Sequence, residues 1–271
     1  MASVTFGIAR TGLEVAEQVI QTCSQNAANA KSIAYKEMMP EVTDLAYTQM
    51  KNAGVQESAD TFERPIGIQR GSGARVTGIT RIMTQGAQKT TNNPLDVMIN
   101  GAGYIAITLP GGNTGYTRAG NFRINNTRQV VTPEGYALAD NITIPDGIDA
   151  GNMTGISISS SGLITATDPT NPINIITIGQ LNIYTFPNEQ ALQLQGGGIL
   201  LETEASGPAQ ESIPGLNNTG TIIQGALEES NVSAVTAITD LIAAQRVYEM
   251  NTKFLMAEDE RLKNTNNMYQ S

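Results

Sequence analysis

The two ends of the chain carry a helical pattern of apolar positions. From Ala9, small and aliphatic residues recur at alternating spacings of four and three, which is the pattern of helices that pack along one another. No Pro or Gly interrupts residues 13–39, so the pattern predicts a helix that continues towards Pro40. The seam consists of Ala9, Leu13, Ala16, Ile20, Cys23, Ala27, Ala30 and Ala34. Because most of these side chains are small, a partner helix is expected to approach closely.

The C-terminal segment has a similar periodicity with a different chemistry. Ser230 or Asn231 is a good candidate for the residue that caps its N-terminus. One heptad column is apolar and contains Ala234, Leu241, Tyr248, Leu255, Leu262 and Tyr269. The alternating column turns polar after its first member and contains Ile238, Gln245, Thr252 and Asp259. Polar residues in a seam tend to fix register and partner choice. We therefore expect the two terminal helices to pair with each other, the alternative being that both pack on a β core.

Between the helices the pattern changes to short β-branched runs separated by turn residues, which predicts an antiparallel β domain. Residues 41–75 are polar and mixed and predict an extended connector, and residues 187–220 have the character of a long loop. The predicted fold class is α+β: long N- and C-terminal helices that pair as a coiled-coil-like domain, a central antiparallel β-rich domain and an extended connector. The predicted domains are a discontinuous helical polymerisation domain of residues 1–40 and 228–271, a connector of 41–75 and a β-rich outer domain of 76–227.

Composition limits the possible functions. The 271 residues carry a net charge of −9, whereas nucleic-acid binding requires clustered Lys and Arg. The chain has one Cys, Cys23, and no His, which excludes an internal disulfide, a Cys-based zinc site and the common transition-metal sites. No apolar run is long enough to span a membrane, and the N-terminus lacks the pattern of a cleavable signal peptide.

The sequence offers no convincing active site. Without His, no Ser–His or Cys–His pair can form. Residues 101–106, GAGYIA, fit a dinucleotide fingerprint, but β-branched residues follow where that site needs a helix. Paired carboxylates such as Glu202 with Glu204 lack an aromatic platform for a sugar, since the chain has no Trp. We therefore predict no enzyme, no cofactor and no metal, and the regular features indicate association.

Three blocks of sequence resemble the flagellar axial protein family of rod, hook and hook-associated proteins. Residues 24–36, SQNAANAKSIAYK, are similar to the block A-N-N-L-A-N-V-x-T-x-G-F-K, with Ala34 where the family has Gly. The C-terminal block S-N-V…M-I…Q-R-A-Y-E-x-N-x-K is matched at Ser230, Asn231, Val232, Ile242, Gln245, Arg246, Tyr248, Glu249, Asn251 and Lys253. The middle segments NPLDVMINGAGYIAI, YTRAGNFRIN and VVTPEGYAL also agree, and GIQRGSGARV resembles the distal rod members.

The resemblance implies a structural subunit that polymerises helically into a hollow, rigid shaft and transmits torque from motor to hook. Implied partners are copies of itself, other rod proteins, the hook protein, the surrounding ring (bushing) proteins and the flagellar export apparatus, with neither nucleic acid nor direct membrane insertion. The implied location is the periplasm-spanning rod of the basal body, reached by type III export without a cleaved signal peptide. Alternatives are another rod, hook or hook-associated protein, or a soluble β-rich binding module or hydrolase.

On this interpretation the subunit interface lies on the terminal helices and their flanks. The helices of the free monomer have little to bury against, and we expect them to be disordered before assembly. The predicted interface residues are Ala9, Leu13, Ala16, Ile20, Cys23, Asn26, Ala27, Asn29, Ala30, Lys36, Asn231, Ile238, Leu241, Gln245, Arg246, Tyr248, Asn251, Lys253, Leu255 and Leu262.

Overall fold

The chain folds into two units, and both are discontinuous in sequence. A computed structural model describes residues 2–51, 66–145, 155–167 and 175–270. The first unit contains Met1–Ala28, Met38–Arg81 and Ser233–Ser271, and the second contains Asn29–Glu37 and Ile82–Val232. The chain therefore crosses from one unit to the other four times. The predicted limits of the helical, connector and outer domains remain a prediction.

The first unit consists of two long helices and two antiparallel β ribbons. Its elements are α1 (Ala2–Ala28), β1 (Met38–Asp44), β2 (Thr48–Lys51), β3 (Ile68–Arg70), β4 (Ala74–Arg81) and α2 (Ala234–Gln270). β1 pairs with β4 and β2 pairs with β3. α1 packs against α2 and also contacts β1 and β4. Among the described helices, neither combines the length and the apolar character needed to cross a bilayer.

The first helix is shorter at its C-terminal end than the apolar pattern predicts. α1 ends at Ala28, and turns follow where the seam was expected to continue through Ala30 and Ala34. Asn26 explains the early end, because its side chain accepts a hydrogen bond from the Met38 backbone N–H at 3.0 Å and donates to the Met38 carbonyl at 2.7 Å. These two bonds fold the chain back beside the last turn of α1. The prediction of a helix reaching residue 40 was wrong.

The segment predicted as a connector contains ordered strands. Residues 41–75 include most of β1 and all of β2 and β3, while residues 52–65 lie outside the described residues. The β1–β4 ladder runs from Met38 opposite Arg81 to Asp44 opposite Ala74, with an irregularity between Glu41 and Val42. Paired ribbons satisfy backbone hydrogen bonds that an unpaired extended chain would leave to water.

The second unit is β-rich, and each of its described ladders is antiparallel. The largest sheet has the strand order β16-β17-β8-β7-β11-β10-β9, and a three-stranded sheet has the order β12-β13-β14. Three two-stranded pairs are β15-β18, β19-β6 and β20-β5. The strands are β5 (Gln88–Thr90), β6 (Val97–Asn100), β7 (Ile105–Thr108), β8 (Thr114–Thr117), β9 (Arg123–Ile124), β10 (Val130–Val131), β11 (Ala137–Leu138), β12 (Ile156–Ile158), β13 (Leu163–Thr167), β14 (Ile175–Gln180), β15 (Ile183–Thr185), β16 (Gln193–Gly196), β17 (Ile199–Leu201), β18 (Gln210–Ser212), β19 (Thr221–Gln224) and β20 (Ala226–Glu228).

Two clusters of buried side chains form the core of the second unit. The larger cluster is almost entirely Ile, Leu and Val, with Phe122 as its aromatic member. The smaller cluster is built around Tyr104, Tyr116 and Phe186. In it, Phe186 meets Tyr116 edge-to-face with ring centroids 4.8 Å apart. Alternating strand residues thus supply a core large enough to hold this unit together.

The region predicted as a long loop, residues 187–220, contains regular structure, so that prediction was wrong. It includes one 3₁₀ turn (Glu189–Ala191) and the strands β16, β17 and β18. Three consecutive glycines end β16 and form the turn to β17, with φ angles of 111°, 62° and 74° at Gly196, Gly197 and Gly198. Only glycine adopts such a run readily, which is how a segment of turn-like composition forms a hairpin.

Candidate subunit interface

The N-terminal seam is shielded along its helical part. Within α1, Ala16 and Cys23 are buried. The four other seam residues of this helix are half-buried: Ala9, Leu13, Ile20 and Ala27. The predicted column therefore lies on the side of α1 that packs against the rest of its unit.

The two helices approach closely where α1 carries a glycine. A Cβ atom at Gly12 would lie 3.0 Å from the side-chain nitrogen of Asn251 on α2. Nearer the start of α1, the Thr5 hydroxyl donates to Glu258 at 3.2 Å. A groove of about 460 Å³ lies between the helices at this end, lined in part by Ile8, Phe254 and Gly12. Small residues on α1 thus set the helix–helix distance.

The α1-facing side of α2 differs from the prediction in one of its two columns. The shielded residues at alternating four–three spacing are Ala237, Leu241, Ala244, Asn251, Leu255 and Glu258, and Thr252 of the predicted second column is also half-buried. Leu241, Asn251 and Leu255 were predicted interface residues. The second column, however, is shifted by one position, because Ala237 and Ala244 allow a closer helix approach than Ile238 and Gln245 would.

The displaced predicted residues lie on the open side of the helix pair. Ile238 is 50% exposed, and Gln245, Arg246 and Lys253 are also exposed. Tyr248 and Leu262 lie close to the α1-facing side but keep about two fifths of their surface accessible. Ile238, Gln245, Arg246 and Lys253 are therefore available to another molecule, whereas Tyr248 and Leu262 are partly shielded.

α2 exposes two groups of apolar side chains that the sequence-based prediction did not include. Val235, Ile238 and Ile242 are exposed and recur at spacings of three and four. Val247, Met250 and Phe254 repeat the same spacing after a step of five residues, which places them on the other flank of the helix, where Phe254 borders the groove with α1 and is 67% exposed. We call these six residues the open stripe. The sequence contains the signal, because apolar residues of α2 also occur at positions outside the predicted heptad columns.

The remaining N-terminal residues of the predicted interface belong to the second unit. Asn29 and Ala30 lie in the turns after α1 and are half-buried. The Asn29 side chain accepts a hydrogen bond from the Ser32 hydroxyl at 3.0 Å, and its carbonyl accepts one from the Ser32 N–H at 3.0 Å. These bonds shape the turn that leads to Lys36.

Asn231 connects three segments of the second unit and does not cap α2. Its side-chain oxygen accepts from the Glu37 N–H at 2.7 Å, and its amide donates to the carbonyls of Ile82 at 2.8 Å and Thr84 at 3.1 Å. The capping residue is Ser233, whose hydroxyl accepts from the Thr236 N–H at 3.4 Å. The expected cap at Ser230 or Asn231 was wrong, since Asn231 is used to hold the neighbouring segments.

Lys36 ends in a buried ion cluster centred on Glu228, whose side chain is 0% exposed. The Lys36 ammonium donates to Glu228 Oε1 at 2.6 Å, and Arg118 Nε donates to Glu228 Oε2 at 2.6 Å. The Gly86 N–H also donates to Glu228 Oε1 at 2.9 Å. The sequence-based prediction assigned no role to Arg118 or to Glu228.

The charges in this cluster are not equally well compensated. Burial opposes ionisation of Glu228, but Arg118, Lys36 and Gly86 together hold its pKa below the ordinary value. Burial lowers the pKa of Lys36, and the hydrogen bond to Glu228 offsets only part of that effect. The two directions are compatible because one carboxylate is shared by two cations, of which Arg118 repels Lys36. The arrangement fixes chain segments and contains no nucleophile paired with a base.

Two models of protein families match the chain. The model described as the flagellar hook protein FlgE/F/G D1 domain matches residues 98–166. The model described as the flagellar basal body rod FlgEFG protein C-terminal matches residues 223–268. The first match covers much of the largest sheet, and the second covers β20 and most of α2.

Relatives that align with most of this chain are named as flagellar rod proteins. The flagellar basal-body rod protein FlgG of Caulobacter vibrioides is 40% identical over 96% of this chain and 97% of its own length. The FlgG of Borreliella burgdorferi is 34% identical over 96% of both chains. The flagellar basal-body rod protein FlgF of Escherichia coli is 32% identical over 69% of this chain and 72% of its own length.

Proposed function

The chain belongs to the FlgG family of flagellar basal-body rod proteins, and we propose that it polymerises through its paired terminal helices into a hollow drive shaft. As a family member it is a structural subunit of the distal rod of the flagellar basal body, and it is not an enzyme. In the proposal, α1 and α2 pair as a coiled coil and pack against the helices of neighbouring copies to form the inner wall of the tube.

The observation that supports this proposal is that α2 exposes apolar side chains outside the side that packs against α1. One side packs against α1, and the two flanks present the open stripe. A helix with apolar side chains on more than one side is stable when all of them are covered. Other copies of the same chain can cover the stripe by a head-to-tail contact, and an interface of this type builds an open helical filament.

The predicted interface residues have two roles in the proposed polymer. The α1 seam and Leu241, Leu255 and Leu262 contribute to helix pairing within a subunit. Ile238, Gln245, Arg246, Tyr248 and Lys253 contact the next subunit, where the polar members fix register. We further propose that residues 41–75 act as an extended connector that touches a neighbouring subunit, and that the β-rich domain forms the outer layer.

The remaining parts of the proposal concern export and partners. The subunit assembles with other flagellar axial components, and we propose the adjoining rod proteins, the hook protein and the surrounding rings as its neighbours. Export would use the flagellar type III apparatus without a cleaved signal, and the finished rod would span the periplasm. A place elsewhere on the axis is the second candidate, suggested by the similarity to FlgF. Labelling the chain in isolated basal bodies and measuring its position along the axis separates the two.

An aspartate in the open stripe tests the polymer interface. Phe254→Asp places a charge where the proposal buries an apolar side chain, which costs several kcal/mol unless the charge is paired. We expect polymerisation of the purified chain, followed by light scattering and electron microscopy, to be lost. Ile175→Asp is the matched control, because Ile175 is also 67% exposed and lies in the β-rich unit. Polymerisation of Phe254→Asp at the control's rate would overturn the proposal.

Motility provides a second test in the cell. Leu241→Asp and Tyr248→Asp are both expected to abolish swimming while leaving the β-rich unit folded. Circular dichroism of the purified variants checks that the strands persist. Normal swimming of both variants would contradict the proposed role of α2.

A further inference from the structure

Three segments of the second unit lie next to the points where the chain crosses between units, and hydrogen bonds join them to one another. Residues 34–37 precede one crossing, residues 82–86 follow another, and residues 228–231 precede the last. The Ala34 N–H donates to the Glu228 carbonyl at 2.9 Å. The Asn231 N–H donates to the Tyr35 carbonyl at 3.3 Å, and the Ile82 N–H donates to the Glu37 carbonyl at 2.8 Å. The buried ion cluster lies among these backbone bonds.

We propose that Lys36, Arg118, Glu228 and Asn231, which we call the clasp, transfer force from the terminal segments to the β-rich unit. The inference rests on the proposed function, because a drive shaft must carry torque between the parts of each subunit. Neither the family models nor the names of the relatives assign such a role to these four residues.

The covalent path of the force supports the proposal. Force on α2 reaches the second unit through Val232, next to Asn231, and force on β1 reaches it through Glu37. These two points are joined directly by the 2.7 Å bond between the Glu37 N–H and Asn231. For force that enters at these two points, the clasp is the first set of non-covalent contacts in its path.

Arg118 links the clasp to the body of the unit. Its guanidinium donates to the carbonyls of Gly101 at 2.5 Å and Gly103 at 3.2 Å, in the turn between β6 and β7. Those strands supply fully buried core residues, among them Ile99 and Ile107. Force that reaches Glu228 is thus passed to the core through Arg118.

The ion pairs of the clasp resist gradual separation of Glu228 from its two cationic partners. Withdrawing Lys36 or Arg118 would leave a buried carboxylate short of a partner, and a buried charge without full compensation is strongly unfavourable. Because Glu228 accepts from Lys36, Arg118 and Gly86 at once, these bonds share the load. An apolar contact at the same place would lose its stabilisation progressively as its surfaces slid apart.

Pulling the full-length monomer from its two termini at constant force tests the clasp. Lys36→Met removes the ammonium, and with it the bonds to Glu228 and to the Thr84 carbonyl, while the Arg118–Glu228 pair remains. We expect the β-rich unit of this variant to rupture about tenfold faster or more, as follows from loss of a charge-assisted hydrogen bond. Lys36→Arg, which keeps the charge, is expected to restore most of the lifetime.

Two control variants distinguish a specific effect on resistance to force from an effect on the overall stability of the unit. Lys89→Met removes an exposed lysine whose partner Glu229 is 3.8 Å away, and its lifetime is expected to match the wild type. Ile164→Val weakens the core away from the clasp. If the two variants have the same thermal stability, the lifetime of the folded β-rich unit under force should be shorter for Lys36→Met than for Ile164→Val. Equal lifetimes of Lys36→Met and wild type, or of Lys36→Met and Ile164→Val, would overturn the clasp. Because the assay uses monomers, its result is independent of whether the chain polymerises.

Discussion

Ala34 has a backbone conformation that suits glycine better than alanine. Its φ is 55°, in the left-handed region where the Cβ atom costs roughly 1–2 kcal/mol. Glycine loses about 0.4–1 kcal/mol more than alanine through the entropy of the unfolded chain. We expect Ala34→Gly to raise the free energy of unfolding by about 0.5–1 kcal/mol in urea denaturation. Ala30→Gly, in the same turn but at negative φ, is the control and should lower it.

The Ala34 position also explains one departure from the family pattern. The family places Gly where this chain has Ala34, and the left-handed φ gives the physical reason for that preference. The chain keeps this turn with Ala at position 34 because hydrogen bonds fix the residues on both sides of it: Asn26 bonds to Met38, and Lys36 bonds to Glu228. Equal stability of Ala34→Gly and wild type would show that these contacts relieve the strain completely.

Asp140 makes the stability of the β-rich unit depend on pH. Burial raises its pKa, and the charge of Glu211 adds to the rise, while the Asn182 backbone N–H, which donates to Asp140 at 3.0 Å, opposes it. Nearby Tyr184 is held protonated, since burial raises its pKa to about 12. A carboxyl whose pKa is raised by folding stabilises the fold below its unfolded pKa, and that contribution is lost as the pH rises through the folded pKa.

The variant Asp140→Asn is therefore expected to be more stable than wild type at neutral pH. The advantage should disappear as the pH falls below about 4, near the unfolded pKa of aspartate. Denaturant titrations at a series of pH values measure this difference. In a Glu211→Gln background the advantage should be smaller, because one cause of the raised pKa has been removed. An advantage that is constant with pH would contradict the assignment to Asp140.

The spacing between α1 and α2 depends on Gly12. Its missing side chain leaves room for Asn251, and the contact distance of 3.0 Å for an added Cβ is too short without movement. We expect Gly12→Ala to lower the helicity and thermal stability of the chain, as measured by circular dichroism. Gly7→Ala is the matched control: it has open space around it and should gain up to about 1 kcal/mol from helix propensity.

A second substitution tests whether contact with Asn251 is the reason for the expected loss of stability. Asn251→Ala removes the side chain that an added Cβ would meet. In that background Gly12→Ala is expected to stabilise as Gly7→Ala does. If Gly12→Ala remains destabilising there, the close approach is not the reason for this glycine.

The two terminal helices were predictable from the sequence to the extent that a local pattern of apolar residues determines them. The residues of the predicted α1 seam from Ala9 to Ala27 are buried or half-buried, as expected for small residues at four–three spacing beside another helix. The position where α1 ends was not predictable from that pattern, since it depends on the side chain of Asn26 meeting Met38, twelve residues away. On α2 the predicted columns are shielded only in part, because apolar residues occur around much of this helix and contact with α1 decides which of them are covered.

The clasp was the least predictable part of the candidate site. Its charged members come from positions 36, 118 and 228, far apart in sequence, and each is unremarkable in its local pattern. Resemblance to the family identified Lys36 and Asn231 as matched positions but gave no contacts for them. Long-range pairing of strands brings these side chains together, and a single sequence contains no direct signal of that pairing.

At the scale of the whole molecule, the two units bury their apolar residues to different degrees. The β-rich unit has its own closed core, whereas the helix pair leaves the open stripe in contact with water. Proteins that expose a contiguous apolar surface commonly use it for association. We therefore expect the helices to be poorly ordered in the monomer and to become stable when neighbouring copies cover the stripe, as coupled folding and binding requires.

Hydrogen exchange compared between monomer and polymer tests this expectation. Amides of residues 232–265 should exchange rapidly in the monomer and become strongly protected in the polymer, because local opening no longer occurs without separating subunits. The strand Ile105–Thr108 is the internal control and should be protected in both states, since three of its four residues are buried. Phe254→Asp should abolish the gain on α2 and leave the strand unchanged. Strong protection of α2 in a monodisperse monomer would mean that α1 alone stabilises it, and the open stripe would then be a docking surface on a helix that is already folded.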